Sequence, residues 1–234
     1  ELAYIQAERV QPTTEHDGWS EVLRSPRVWA LVLSYTVWVY NMWLMASWLP
    51  SYLVRGRGFS VGEMGVWGGA ITGAALVGTI GGGWLSDQLL RYGHSVDRAR
   101  KIFPLVSMLI GVPFMVLGVT VESAWLCVAL LMGARLFNDA AISGYMSLPT
   151  EMSPRHLGAI WGCMSTFGSL AGIIASMLAG YQVATTGNWA LPFYTSAGGI
   201  TIAALIMAVG VSAQPLFTQE LTSPRVVQPE PVVH

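Results

Sequence analysis

Val28-Trp-Ala-Leu-Val-Leu-Ser-Tyr-Thr-Val-Trp-Val-Tyr-Asn-Met-Trp-Leu-Met-Ala-Ser-Trp-Leu-Pro-Ser-Tyr-Leu53 carries no charge between Arg27 and Arg55. A helix rises about 1.5 Å per residue, so roughly 20 apolar residues cross a hydrocarbon layer about 30 Å thick. This stretch is long enough, and it predicts a transmembrane helix. Four more apolar runs follow, at 64–85, 102–121 with Pro113 inside it, 124–148 closed by Pro149, and 157–218. The last has no charge and is too long for one crossing, and Thr185-Thr-Gly-Asn188 supplies a turn that divides it. Ser60-Val-Gly-Glu63 reads as a capping box opening the second span. The expectation is therefore an all-α membrane protein with six transmembrane helices.

Composition agrees. Of the 234 residues, 53% are hydrophobic and 11% charged, against about 25% charged in a soluble domain; the mean hydropathy is +0.52. A net charge of -1 with Lys101 as the single lysine gives no nucleic-acid signature. Cys127 and Cys163 lie in apolar runs without metal or redox spacing, and His16, His94, His156 and His234 are scattered. No disulfide, metal site or cofactor is expected. The chain opens at Glu1 without a signal segment, which reads as a cut from a longer chain.

Loop charges give the spans a direction. Arg9, Arg24, Arg27, Arg91, Arg98, Arg100, Lys101, Arg155 and Arg225 fall on one side if six helices alternate, and only Arg55 and Arg57 on the other. The positive-inside bias puts both ends and the loops after spans two and four in the cytoplasm. Trp29, Trp48, Trp84, Trp125 and Trp189 sit near span ends, as an aromatic belt requires. Three parts follow: a cytoplasmic segment 1–27, a six-helix domain 28–213 and a cytoplasmic tail 214–234 expected to be disordered.

The loop after span two reads Gly81-Gly-Gly-Trp-Leu-Ser-Asp-Gln-Leu-Leu-Arg91. Glycines let helices approach closely, and a carboxylate at the rim can accept from a neighbouring helix N-terminus. Asp87 would then act as a latch, with Gly83 and Arg91 in the same gate; a solvated turn is the plainer reading. The segment resembles the Gly-x-Leu-(small)-Asp signature of the major facilitator superfamily, with Gln88 where the pattern usually has Arg. Glu1-Leu-Ala-Tyr-Ile-Gln-Ala-Glu-Arg9, Trp48-Leu-Pro-Ser-Tyr-Leu53 with Arg57-Gly-Phe-Ser60, and Leu148-Pro-Thr-Glu-Met-Ser-Pro154 through Gly158 and Gly162 resemble its anion:cation symporter branch. That branch includes phthalate, tartrate, glucarate and galactonate permeases and vesicular glutamate carriers. The resemblance implies helices seven to twelve of a twelve-helix transporter, hence two three-helix inverted repeats and a partner six-helix N-terminal half. It also implies a small organic anion as substrate, a proton or sodium ion as coupling ion, no covalent chemistry, and a bacterial cytoplasmic membrane. The family usually has Asn in helix eleven where this chain has Ser165.

Candidate site residues follow from position. An Arg or Asp at mid-depth costs roughly 2.5–3.5 kcal/mol on insertion scales, so neither faces lipid. Arg135, Asn138 and Asp139 stand at i, i+3 and i+4 on one face, where Arg135 and Asp139 can pair. They either hold a substrate anion or form a structural pair. Ser34, Trp38, Asn41 and Met45 share a stripe of the first span flanked by Tyr35 and Tyr40, a ligand cradle or helix packing. Gly65, Gly69 and Gly73, then Gly78 and Gly82, Gly158 and Gly162, and Gly168 and Gly172 recur at four-residue intervals. Such glycines serve close helix contacts, within this half or against the missing one. Arg55 and Arg57 either draw anions to the outer mouth or snorkel. The rival readings are a six-helix protein that dimerises into a carrier or channel, and a membrane-embedded enzyme.

Overall fold

The computed structural model describes residues 22–216. The segment Glu1 to Arg9 and the tail expected to be disordered lie outside the described residues, apart from residues 214–216. Six helical stretches are long and apolar enough to cross a membrane. The first is α1, Pro26–Ser51, extended by a π-turn at Tyr52–Gly56. The second is α2, Val61–Arg91, and the third is α3, Phe103–Thr120, entered through a π-turn at Arg98–Ile102. The fourth is divided into α4, Ala124–Ala140, and α5, Ile142–Met152, followed by α6, Leu157–Thr186, and α7, Leu191–Gly210.

Local signals explain several boundaries. At α2 the Ser60 hydroxyl accepts from the Glu63 amide at 3.3 Å while the Glu63 carboxylate accepts from the Ser60 amide at 2.9 Å. That is the expected capping box. Gly187 ends α6 with φ at +68°, the left-handed cap that glycine adopts without strain. Two expectations for the fourth span need correction. It breaks at Ala141, and Pro149 lies inside α5 instead of closing the span, at the cost of the intrahelical bond its missing N–H cannot donate.

The packing order maps onto itself when the first three spans are exchanged with the last three. α1 packs on α6 and α7, α4 packs on α2 and α3, and α3 packs on α7. This is the pattern two three-helix repeats produce when related by a two-fold axis. Buried apolar side chains form one cluster around Leu31, Met108, Tyr145, Leu148 and Met207, and another around Leu53, Met115, Leu131 and Phe193. Both ends of the described chain join the first. Val22 is buried there, the Leu216 amide donates to the Met152 carbonyl at 2.8 Å, and the Ala213 amide donates to Asp97 Oδ1 at 2.9 Å.

The glycines divide into two classes. A Cβ on Gly82 would lie 2.5 Å from the Ala140 carbonyl oxygen, and one on Gly78 would strike the Leu136 backbone, so these two set the α2–α4 approach. A Cβ on Gly172 would lie 2.8 Å from the Trp43 ring of α1 and one on Gly168 3.2 Å from the Tyr35 ring, side chains that can yield where a backbone cannot. Gly65, Gly69, Gly73, Gly158 and Gly162 face open space. Gly82→Ala is therefore expected to destabilise the protein by about 1–3 kcal/mol through overpacking, read as a lower thermal midpoint in detergent. Gly69→Ala in the same assay leaves the midpoint at or slightly above the wild-type value, since alanine is the better helix former.

Candidate functional site

The charges of the fourth span sit in the last turns of α4, just before the break. Arg135 Nε lies 3.2 Å from Asp139 Oδ2, with side chains only 12% and 8% exposed. The i, i+4 spacing brings them together as expected. The contact lacks hydrogen-bond alignment, so Asp139 Oδ2 is buried with an ionic neighbour but no hydrogen bond among the described residues. Asn138 departs from the expected shared face. Its Nδ2 donates to the Ala134 carbonyl at 2.9 Å and its amide fills the space over Gly111 of α3, where a Cβ would lie 2.5 Å from Nδ2. Its Oδ1 is buried without a hydrogen-bond partner among the described residues.

The stripe on α1 is tied to other helices by hydrogen bonds. Trp38 Nε1 donates to the Asn138 carbonyl at 2.9 Å. Ser34 Oγ donates to the Ala203 carbonyl at 2.8 Å and lies 2.7 Å from the Tyr145 hydroxyl. Asn41 Oδ1 accepts from Ser196 Oγ at 2.8 Å. Met45 is buried in the cluster around Leu53. Ser34, Trp38 and Asn41 thus hold α1 against α4, α5 and α7. Tyr35 is half-buried and meets the rings of Tyr145 and Trp161 edge-on at centroid separations of 5.5 and 6.1 Å. Ser165 lies on the exposed side of α6, away from this set of bonds. Sequence reasoning passed over Tyr145 and Ser196. A tyrosine inside an apolar run needs a partner for its hydroxyl and could have been marked on that ground; a lone serine gives no such signal.

At the rim, Asp87 accepts from Arg100 Nη2 at 2.8 Å instead of from a helix N-terminus. Arg100 Nη1 also donates to Ser86 Oγ at 3.1 Å, and Ser86 Oγ donates to the Ala99 carbonyl at 2.8 Å. The end of α2 is thereby clamped to the π-turn that enters α3. Gly83 is half-buried and Arg91 is exposed in the last turn of α2. At the opposite end, Arg57 is neither a free anion lure nor a snorkelling chain. Nε donates to the Tyr52 hydroxyl at 2.7 Å, Nη1 to the Val121 carbonyl at 2.6 Å, and Nη2 to the Val119 and Gly118 carbonyls at 2.9 and 3.1 Å. A guanidinium thus caps the C-terminus of α3, satisfying carbonyls the helix leaves free and complementing its dipole.

Six apolar spans with repeat-related packing around a buried charge pair define an α-helical membrane-protein domain. Residues 5–134 match the family model for the Major Facilitator Superfamily, and the chain belongs to that family. It is 26% identical over 205 residues to "Probable sulfoacetate transporter" of Cupriavidus necator, covering 88% of this chain and 47% of that protein. It is 32% identical over 167 residues to "Probable galactarate/D-glucarate transporter" of Bacillus subtilis, covering 70% and 36%. It is 29% identical over 180 residues to "Ascorbate transporter, chloroplastic" of Arabidopsis thaliana, covering 73% and 31%. The chain thus spans less than half the length of each. Among solved structures, the bacterial homologue of the human lysosomal transporter Spinster, inward-facing and unoccupied, superposes with a TM-score of 0.55 at 16% identity. That match covers 83% of this chain and 48% of the other, and shares the fold.

Hydrogen bonds from a charged donor each contribute about 1.5–3 kcal/mol. Arg57→Ala is expected to lower stability by at least that much, seen as a depressed thermal midpoint in detergent. Arg57→Lys should recover only part of it, since an ammonium cannot reach a hydroxyl and three carbonyls at once.

Proposed function

We propose that this chain is the C-terminal half of a secondary transporter that moves a small organic anion, such as a sugar acid, dicarboxylate or aromatic carboxylate. It does so with a proton or sodium ion by alternating access. The observation that carries the reading is the buried Arg135–Asp139 pair, whose carboxylate oxygen has an ionic contact and no hydrogen bond. An arginine held by a single imperfect contact can exchange that carboxylate for a substrate anion at little cost, because a charged group in the bilayer must keep one counter-charge or another. Asp139 holds Arg135 in position while the site is empty and takes up a proton when the anion displaces it. The names printed for relatives, sulfoacetate and galactarate/D-glucarate transporters among them, agree with a carboxylate or sulfonate substrate.

The open glycines Gly65, Gly69 and Gly73 of α2, with Gly158 and Gly162 of α6, form the surface that rocks against an N-terminal six-helix half. Ser165 lies on the same exposed side of α6 and faces the cavity between halves. Tyr35, Trp38, Asn41 and Ser34 set the wall of that cavity, with Asn138 holding Trp38 in place. The protein is a multi-pass protein of a bacterial cytoplasmic membrane, with the end carrying Arg91, Arg98, Arg100, Lys101 and Arg155 in the cytoplasm. Asp87 and Arg100 form the clamp at that end, beside Gly83 and Arg91.

Uptake by the full-length transporter of a panel of sugar acids and aromatic acids, under imposed proton or sodium gradients, tests the reading. With the accepted anion, Arg135→Lys is expected to raise KM about tenfold or more, the equivalent of one charged hydrogen bond. An unchanged KM in a correctly inserted Arg135→Lys protein would remove Arg135 from the site.

A further inference from the structure

A cavity of about 280 Å³ opens between α2, α3 and α4, and neither Arg135 nor Asp139 lines it. Its floor exists because Gly78 and Gly82 bring α2 against the α4 backbone, and its walls are Trp84, Phe103 and Phe137. Ser107 also lines it, but its hydroxyl is spent on the Phe137 carbonyl, so no polar group there seeks a ligand. Water gains nothing in such a space, whereas a hydrocarbon chain fits it. One wall belongs to α3, the span with the highest mean hydropathy of the six at 2.3, whose Val106, Leu109, Ile110 and Leu117 are exposed, as are Val77, Trp84 and Leu85 of the α2 wall. That is the side bilayer lipid touches. Phe103 directly follows the π-turn Arg98–Ile102, which carries Arg98, Arg100 and Lys101. Arg100 is committed to Asp87, while Arg98 is exposed and Lys101 half-buried, neither in an ion pair among the described residues.

We infer that this cavity is a binding site for an anionic phospholipid, one acyl chain lying between α2 and α3 and the phosphate meeting Arg98 and Lys101. Apolar burial supplies affinity per methylene, and the two cations supply headgroup preference. The lipid braces the joint clamped by Asp87 and Arg100, so it bears on how freely that end of the domain opens. Gly81 lines the cavity, and a Cβ there meets nothing within 4 Å, so a larger residue at this position plugs the space without disturbing the helix contacts.

Native mass spectrometry of the full-length transporter, released from vesicles of equal phosphatidylglycerol and phosphatidylcholine, tests the site. Wild type should retain phosphatidylglycerol in preference to phosphatidylcholine. Gly81→Leu should lower retention of both lipids severalfold while its thermal midpoint in lipid-free detergent stays at the wild-type value. Arg98→Gln and Lys101→Gln should each reduce the preference for phosphatidylglycerol about fivefold while phosphatidylcholine is still retained. Equal lipid retention by wild type and Gly81→Leu would overturn the site. So would a Gly81→Leu protein that loses its thermal stability with lipid retention unchanged, because a helix of the other half would then be the occupant. Loss of preference in neither cation variant would overturn the headgroup assignment.

Discussion

Inside hydrocarbon, no water completes a polar group left open by its own helix, and this constraint governs nearly every polar contact in the bundle. Arg135 and Asp139 lie against each other because neither can be left alone at that depth. The break at Ala141 puts the same demand on backbone carbonyls near it. Ser107 of α3 donates to the Phe137 carbonyl, Trp38 of α1 donates to that of Asn138, and Ser143 donates to that of Ala140. A discontinuity in one span is therefore supported by side chains from two others. The break and the helix packing are one arrangement.

The same economy appears at the helix ends. Arg57 collects the terminal carbonyls of α3 at one side of the domain, and Arg100 fastens α2 to the entry of α3 at the other. α3 is thus held at both ends by charged side chains from the turn after α1 and from its own approach. Between those ends it packs on α4 and on α7, two of the contacts that join the repeats. Gly65, Gly69 and Gly73 of α2 and Gly158 and Gly162 of α6 stay open among the described residues.

The spans were legible because hydropathy integrates over some twenty residues and tolerates local exceptions. The capping box at Ser60 and Glu63 was legible because both partners lie within four residues of sequence. The Arg135–Asp139 contact belongs to the same category, being one helical turn long. What the residues concealed depends on other helices. Ala141 breaks a helix without a Gly or Pro beside it, and Asn138 turns to α3 because Gly111 leaves room there. Nothing local distinguishes Gly69, which meets nothing, from Gly82, which meets a backbone. Arg57 looked like a surface cation for the same reason: the carbonyls it caps lie over sixty residues further on.

The candidate site is best understood through which of its polar groups are already spent. Ser34, Trp38 and Asn41 were chosen for their spacing on α1, yet each is engaged by another helix, to Tyr145 and Ala203, to Asn138 and to Ser196. A side chain whose bonds are satisfied has little left to offer a substrate, and breaking those bonds would cost what binding gains. Asp139 is in the opposite position, buried and short of a hydrogen bond, one helical turn from a guanidinium. Unsatisfied polarity at that depth is costly, which keeps the carboxylate against the guanidinium. The polar groups of the α1 stripe are thus spent on other helices, whereas Arg135 and Asp139 have only each other as ion-pair partners among the described residues.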